Sequence, residues 1–231
     1  MKVEDLNVVI LAYSRPNTFE QVLQACARSV PFVKVVMDCP TNKDIELKQE
    51  QIESILRSSG VDYLVRKRQE NYGLVRSVLT TISEELESRE HVILLEDDCV
   101  PSQEFFDFVS HSIEKYKEDH SISSICGTIT DCKFNPWGWA TWRHKWNYEY
   151  FTKEQIENIS NLHPDLLDFL AHNNVEDSIW SLNWLASQYK NNTSAVFPDR
   201  NLIKNIGLND TGVHSAEKGY TKWLISRIQA Q

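Results

Sequence analysis

The stretch His91-Val-Ile-Leu-Leu-Glu96-Asp97-Asp98-Cys-Val-Pro101 decides how the chain is organised. Its four apolar residues, which are Val, Ile and Leu, predict a short buried strand. Three carboxylates follow directly, and like charges crowded at the end of a buried strand are costly unless a cation or hydrogen-bond donors satisfy them. A helix N-cap or a solvated turn is the alternative. We expect a site for Mg²⁺ or Mn²⁺ bridging a diphosphate, because these ions favour a few hard oxygen ligands.

Composition places the chain among soluble globular proteins. It has 231 residues, of which 41% are hydrophobic and 25% are charged, and this suffices for one domain with a sizeable core. The net charge of −9 argues against nucleic acid or an anionic membrane as the main partner. The five cysteines lack metal-ligand spacing, which favours reduced thiols. We find no signal peptide and no membrane span, so we expect a cytoplasmic location, either free or peripheral at the inner face of the membrane.

Predicted strands and helices alternate along the first half of the chain. The apolar run at residues 6–13 predicts a strand, further strands are predicted at 32–37 and 61–65, and helical patterns separate them before the strand that ends at Glu96. This alternation implies βαβ units, so we expect an α/β fold with a largely parallel, doubly wound sheet flanked by helices.

Polar residues follow several of these strands at the point where each strand ends. Arg15 follows the first strand, Asp38 the second, and Asp97 and Asp98 the fourth. Ligands bind at the carboxyl ends of strands in such sheets, so we expect these side chains to line one nucleotide site. The chain contains neither GxGxxG nor GxxxxGK[ST], and this excludes the dinucleotide and P-loop fingerprints.

The second half contains a stretch rich in tryptophan, with Trp137, Trp139 and Trp142 within six residues. Such rings are either core aromatics or a platform for a sugar face, and we expect the platform because no core strand needs tryptophan at this density. A helical insert is predicted at 151–172 and a helix at 176–184, and a polar loop rich in glycine spans 201–215.

These residues together resemble the GT-A class of nucleotide-sugar-dependent glycosyltransferases, and more narrowly the N-acetylglucosaminyltransferase I family and related bacterial enzymes. Ala12-Tyr13-Ser-Arg15 is similar to the family's first-strand turn, whose arginine contacts the donor phosphates. Asp38 is similar to the aspartate that contacts uracil. Glu96-Asp97-Asp98 resembles the family's form of the DxD motif, which implies that Asp98 ligates the metal and that Glu96 and Asp97 contact the ribose and the donor sugar.

The resemblance assigns the second half of the chain to the acceptor. Trp137-Gly-Trp139 and the segment from Trp180 to His214 are similar to the family's acceptor half. The resemblance implies acceptor or sugar contacts for Trp139, Trp142 and Trp180, and His214 as a second metal ligand beside Asp98. At the position of the family's catalytic base this chain has Ser181, which cannot act as a carboxylate base. Asp177 lies one helical turn earlier on the same face and is the base that we expect, with Glu176 as the weaker candidate.

The sequence therefore predicts one GT-A domain over 1–231, with a nucleotide-sugar-binding half (1–101) and an acceptor-binding half (102–231). The predicted activity is metal-dependent transfer of a sugar from a UDP-sugar to a glycan or lipid-linked glycan in bacterial surface polysaccharide assembly. Two alternatives remain open: a sugar nucleotidyltransferase, and a degenerate nucleotide-sugar-binding module without catalysis.

Overall fold

Strands and helices alternate along the first half of the chain. The computed structural model describes residues 1–159, 162, 164, 166–167, 170 and 180–207. The strands are β1 (Val8–Ala12), β2 (Phe32–Met37), β3 (Asp62–Lys67), β4 (His91–Glu96), β5 (Cys99–Pro101), β6 (Ile122–Cys126), β7 (Trp139–Trp142), β8 (Ser194–Val196) and β9 (Ile203–Asn205). The helices are α1 (Pro16–Ala27), α2 (Lys43–Ser58), α3 (Gly73–Ser88), α4 (Gln103–Lys115), α5 (Lys153–Glu157) and α6 (Trp180–Lys190).

Seven of these strands form a mostly parallel sheet in the order β3-β2-β1-β4-β7-β6-β8. The chain runs outward from β1 to β3 and then returns through α3 to place β4 on the other side of β1, where Leu11 pairs with Glu96. The gap between the ends of β1 and β4 is therefore the topological switch point of the sheet, where α/β proteins bind ligands. The predicted α/β, Rossmann-like sheet flanked by helices is confirmed.

The hydrophobic core lies on both faces of this sheet. Val9 and Leu11 of β1 belong to one cluster, which also contains apolar residues of α3 and α6. Val8 and Ile10 point the opposite way and belong to a cluster with α1, α2 and α4. Because both faces are covered, the strands carry continuous apolar runs, and these made the strands recognisable in the sequence.

The tryptophan-rich stretch differs from its prediction, because residues 139–142 form β7. This strand lies between β4 and β6 and is antiparallel to both. Trp139 packs into the cluster under α3 and α6, whereas Trp142 packs on the opposite face and donates its indole N–H to the Ile113 carbonyl at 3.2 Å. A central strand does accommodate dense tryptophan here, since the rings are divided between the two faces.

The structure also defines the bounds of three helical segments. Helix α1 begins at Pro16, with Arg15 as its N-cap. Proline suits this first helical position because its missing N–H has no partner in the first turn. Within the helical insert predicted at 151–172, α5 covers five residues, and the described residues 164, 166, 167 and 170 are also helical. Residues 160–161, 163, 165, 168–169 and 171–172 of the insert lie outside the described residues. The predicted helix at 176–184 is described from Trp180 onward, as α6.

Candidate functional site

Arg15 meets two carboxylates, Asp97 and Asp98, just after the end of β4 at the switch point of the sheet. The guanidinium of Arg15 forms ion pairs with Asp97 and with Asp98, whose Oδ2 lies 2.6 Å from Nη1. The Asp97 and Asp98 side chains are only 4% and 8% exposed, and that of Arg15 is 23% exposed. Asp97 also accepts the backbone N–H of Tyr13 at 3.2 Å. The structure thus brings together the strand ends that the sequence predicted to converge.

Three carboxyl groups lie around this one guanidinium, and the pKa values of Glu96 and Asp97 reflect the imbalance of charge. Burial raises the pKa of Glu96 well above its usual range, and the charge of Asp98 adds to this. Burial also raises the pKa of Asp97 to about 6, against the opposing effect of Arg15. Burial lowers the pKa of Arg15, but the charges of Asp97 and Asp98 outweigh it and raise that pKa overall. Unbalanced buried charge of this kind is typical of functional sites.

The raised pKa of Asp97 has a consequence for stability. The folded chain holds this proton more tightly than the unfolded chain, whose aspartates titrate near ~4. The contribution of Asp97 therefore favours folding at acidic pH and is lost as the pH rises from ~4 to about 6. At neutral pH the acidic cluster costs stability, as expected for a site that a further cation completes.

Gly207 closes the site from the other end of the chain. Strand β5 follows the acidic cluster directly and pairs with β9. Just after β9, the Ile206 N–H donates to the Asp98 carbonyl at 2.9 Å. A Cβ on Gly207 would overlap the Asp98 carboxylate and lie 2.8 Å from Nη1 of Arg15. Only glycine lets the backbone approach this closely. The sequence showed a loop rich in glycine here, but not which glycine touches the acids.

Asp38 lies at the end of β2, as predicted, but backbone donors occupy its carboxylate. Its oxygens accept the N–H groups of Tyr72 at 2.8 and 3.0 Å, Gly73 at 2.7 Å and Cys39 at 3.0 Å. Asp38 therefore caps the first turn of α3, where unpaired N–H groups favour a negative charge. The uracil contact that we predicted for Asp38 stays a prediction, and it would have to compete with these bonds.

We expect Asp38→Asn to weaken the binding of UDP, GDP and ADP by a similar factor. An amide cannot accept all these N–H groups, so the loop before α3 should shift. Loss of a cap typically costs ~1–2 kcal/mol of stability, and we expect a loss of this size in urea unfolding. Asn42→Ala is the matched control, since it removes the cap of α2, where Asn42 accepts the Ile45 N–H. The affinities are measured by calorimetric titration with the three nucleotides. A loss of affinity for UDP alone would contradict the capping role.

Tyr13 occupies the same edge of the sheet and has two partners that the sequence analysis missed. Its hydroxyl lies 3.2 Å from the Thr41 hydroxyl and 3.4 Å from the Asn71 amide nitrogen. Asn71 also donates to the Cys39 carbonyl at 2.7 Å. Ala12, the last residue of β1, is buried. These contacts join the ends of β1 and β2 to the loop before α3, and only the tertiary structure reveals them.

The tryptophans that were predicted to bind sugar lie in the core. Trp139, Trp142 and Trp180 are 1%, 1% and 3% exposed, and the rings of Trp139 and Trp180 stack with centroids 5.7 Å apart. None presents a free ring face, so the structure favours the packing alternative for all three. Ser181, the next residue of α6, is also buried.

Glu176, Asp177 and His214 lie outside the described residues, and their roles stay predictions. Within the described part of the chain, no three His, Cys, Asp or Glu side chains are grouped to hold a metal ion. Asp97 and Asp98 nevertheless supply hard oxygens of the kind that Mg²⁺ and Mn²⁺ take from one or two carboxylates, the remainder coming from substrate phosphates and water. The donor chemistry fits such an ion.

Comparison with known proteins yields similar folds at low identity. No family model and no curated protein matches the chain. A cytidylyltransferase from Leptospira borgpetersenii has 14% identity and a TM-score of 0.49 over 98% of this chain and 97% of its own. S. aureus TarS 1–349 has 13% identity and a TM-score of 0.46, and the glycosyltransferase GlyE in Streptococcus pneumoniae TIGR4 has 17% and 0.44.

These likenesses assign no activity to the chain. The TM-scores are below 0.5, and the matches cover 88% of this chain and 60% of TarS 1–349, and 83% of this chain and 46% of GlyE. The chain therefore spans less than two thirds of the length of either protein.

In the described ranges, no helix is both long and apolar enough to cross a membrane.

Proposed function

We propose that the chain is a metal-dependent GT-A glycosyltransferase that moves a sugar from a UDP-sugar to a glycan or lipid-linked glycan, in bacterial surface polysaccharide assembly. One observation carries this proposal: Arg15, Asp97 and Asp98 meet, nearly buried, at the topological switch point. A cation and two carboxylates at that point suit a nucleoside diphosphate, because the arginine recognises phosphate oxygens and the acids hold the counter-ion of the phosphates.

Each residue at the site then has a role in binding the donor. Arg15 donates charge-assisted hydrogen bonds to the diphosphate, whose oxygens take the place that the carboxylates hold now. Asp98 would hold Mn²⁺ or Mg²⁺, which would supply Lewis-acid stabilisation of the leaving nucleoside diphosphate. Asp97, beside it, contacts the ribose. Glu96, at the very end of β4, contacts the donor sugar. Tyr13 contacts the nucleoside at the ends of β1 and β2.

The catalytic base that we propose is Asp177, with Glu176 as the weaker candidate. A carboxylate within hydrogen-bond reach of the acceptor hydroxyl takes its proton during an inverting transfer. Ser181 is buried and has no carboxylate, so it does not supply this function. His214 completes the metal site in this proposal, and the acceptor binds in the half of the chain formed by residues 102–231.

The first rival is a sugar nucleotidyltransferase, which also uses paired carboxylates and a metal. Such an enzyme requires a glycine-rich, basic loop after the first strand, whereas this chain has Tyr13-Ser-Arg15-Pro16 there. Incubation with a sugar 1-phosphate and a nucleoside triphosphate tests this rival, because pyrophosphate is released only if it is correct. A binding module without catalysis would bind the donor but would not hydrolyse it in the presence of metal.

We expect a UDP-sugar to raise the melting temperature in the presence of Mn²⁺ and to raise it little without the metal. A ligand at a hundredfold excess over its Kd contributes about 2.7 kcal/mol. Asp98→Asn should abolish this metal-dependent shift with little loss of fold, because removing one carboxylate relieves repulsion in the cluster. The measurement is thermal unfolding with a panel of UDP-, GDP- and ADP-sugars.

Asp107→Asn, which neutralises an exposed carboxylate of α4, is the control and should keep the wild-type response. An Asp98→Asn variant that bound its donor with unchanged dependence on Mn²⁺ would show that the metal assignment is wrong. A wild-type chain that responded to no nucleotide sugar would contradict the proposed function as a whole.

A further inference from the structure

Trp137 differs from the other two tryptophans of its stretch, because it is partly exposed. Trp139 and Trp142 are each 1% exposed. Trp137 packs against the edges of the core clusters on both faces of the sheet. A side chain inside one layer touches the cluster of that layer alone. Trp137 therefore lies across the end of the sheet, where the two layers meet.

The end in question is the one that carries the acidic cluster. Strand β7 is antiparallel to β4, with Trp139 opposite Leu94, so the residues just before β7 lie beside the carboxyl end of β4. Gly138 confirms this placement, since a Cβ on it would lie 3.2 Å from a methyl carbon of Leu95. In this antiparallel register Gly138 is level with Leu95, and Trp137 is level with Glu96. The indole and the Glu96 carboxyl therefore share one edge of the sheet.

A defined turn positions Trp137. The side-chain oxygen of Asn135, which is 0% exposed, accepts the backbone N–H of Trp137 at 2.9 Å. The backbone N–H of Asn135 donates to the sulfur of Cys126 at 3.4 Å, which ties the turn to the end of β6. On the other side, Gly138 adopts a φ of +62°, a conformation that favours glycine. The backbone of Trp137 is thus fixed on both sides.

The ring of Trp137 is not used in packing against other rings. Within the described part of the chain, Trp139, Trp146, Trp180 and Trp184 pack on one another, and Trp137 takes part in none of these pairs. Its indole N–H makes no hydrogen bond to a described residue. A partly exposed indole beside carboxylates has the composition of a sugar-binding surface, since a pyranose presents apolar C–H groups on its faces and hydroxyls at its rim.

We propose that Trp137 is the ring on which the donor's sugar packs, with the Glu96 carboxylate accepting one of its hydroxyls. This inference rests on the proposed function and identifies a specificity-determining residue within it. The sugar is that of the donor rather than the acceptor because Glu96 directly precedes the acids that hold the diphosphate, to which the donor sugar is bonded. Trp137 thus takes the role that the sequence had suggested for its buried neighbours.

The test compares binding of UDP with binding of the UDP-sugar that stabilises the wild-type chain most in the panel above, by calorimetry with Mn²⁺. Trp137→Ala should lower the affinity for the UDP-sugar by about 3- to 10-fold, which is the usual contribution of one aromatic contact. The affinity for UDP should change less than about twofold. Trp137→Phe should recover part of the loss, because a smaller ring still offers an apolar face.

Trp146→Phe is the matched control. Trp146 is also partly exposed, but its ring packs on Trp139 and Trp184 and its indole N–H lies 3.2 Å from the Ser83 hydroxyl. It should leave the ratio of the two affinities unchanged. Equal weakening of UDP and UDP-sugar by Trp137→Ala and Trp137→Phe, or no weakening of either, would overturn the role of Trp137 while leaving the proposed function intact. Wild-type protein that bound neither ligand would overturn both.

Discussion

Replacing Arg15 with alanine is expected to lower the free energy of unfolding by roughly 3–5 kcal/mol at neutral pH. The guanidinium is the common ion-pair partner of Asp97 and Asp98, whose side chains are only 4% and 8% exposed. Its removal leaves two buried carboxylates with no opposite charge between them. Unfolding in guanidinium chloride at several pH values measures the effect. The loss should shrink as the pH falls, because protonation of the acids removes their repulsion.

Two variants make this experiment specific. Arg28→Ala removes an exposed arginine just after α1 and should change stability by less than about 0.5 kcal/mol. Arg15→Lys keeps the charge but not the planar fork that contacts both acids, so we expect an intermediate loss. Mn²⁺ should raise the melting temperature of Arg15→Ala more than that of the wild type, because the metal replaces the missing charge. A loss no larger than that of Arg28→Ala would contradict the role of Arg15 as the counter-ion of the acids.

Trp139→Ala is expected to cost about 3–5 kcal/mol as well, for a different reason. Its ring is 1% exposed, stacks on Trp180 and meets Phe134 edge-on with centroids 4.9 Å apart. Truncation would leave a cavity that these rigid rings cannot fill. Denaturant unfolding measures the loss, and Trp137→Ala provides the comparison, since a partly exposed ring leaves a smaller cavity. A Trp139→Ala chain of normal stability that had lost only sugar affinity would restore the sugar-stacking role predicted from sequence.

The strands that the sequence predicted correctly are those whose pattern is local. Strands β1, β2 and β4 are five or six residues long, mostly apolar and mostly buried, so each is predicted without its neighbours. Strands β7 and β9 escaped prediction because a few residues containing tryptophan or lysine become strands only when a partner supplies the hydrogen bonds. Pairing with β4 and β5 provides those partners from distant parts of the chain.

The sequence by itself determined that Arg15, Asp97 and Asp98 would meet, because parallel strands that end in polar residues must present them at one edge of the sheet. It could not determine which neighbouring side chains remain available to a ligand. Asp38 is engaged by the backbone of Tyr72 and Gly73, and Trp137 lies at the edge of the sheet while Trp139 is buried. Whether a side chain is available to a ligand depends on which groups from distant segments of the chain contact it in the folded structure. Only the tertiary structure decides that, through the packing of α3 against the sheet and the pairing of β7 with β4 and β6.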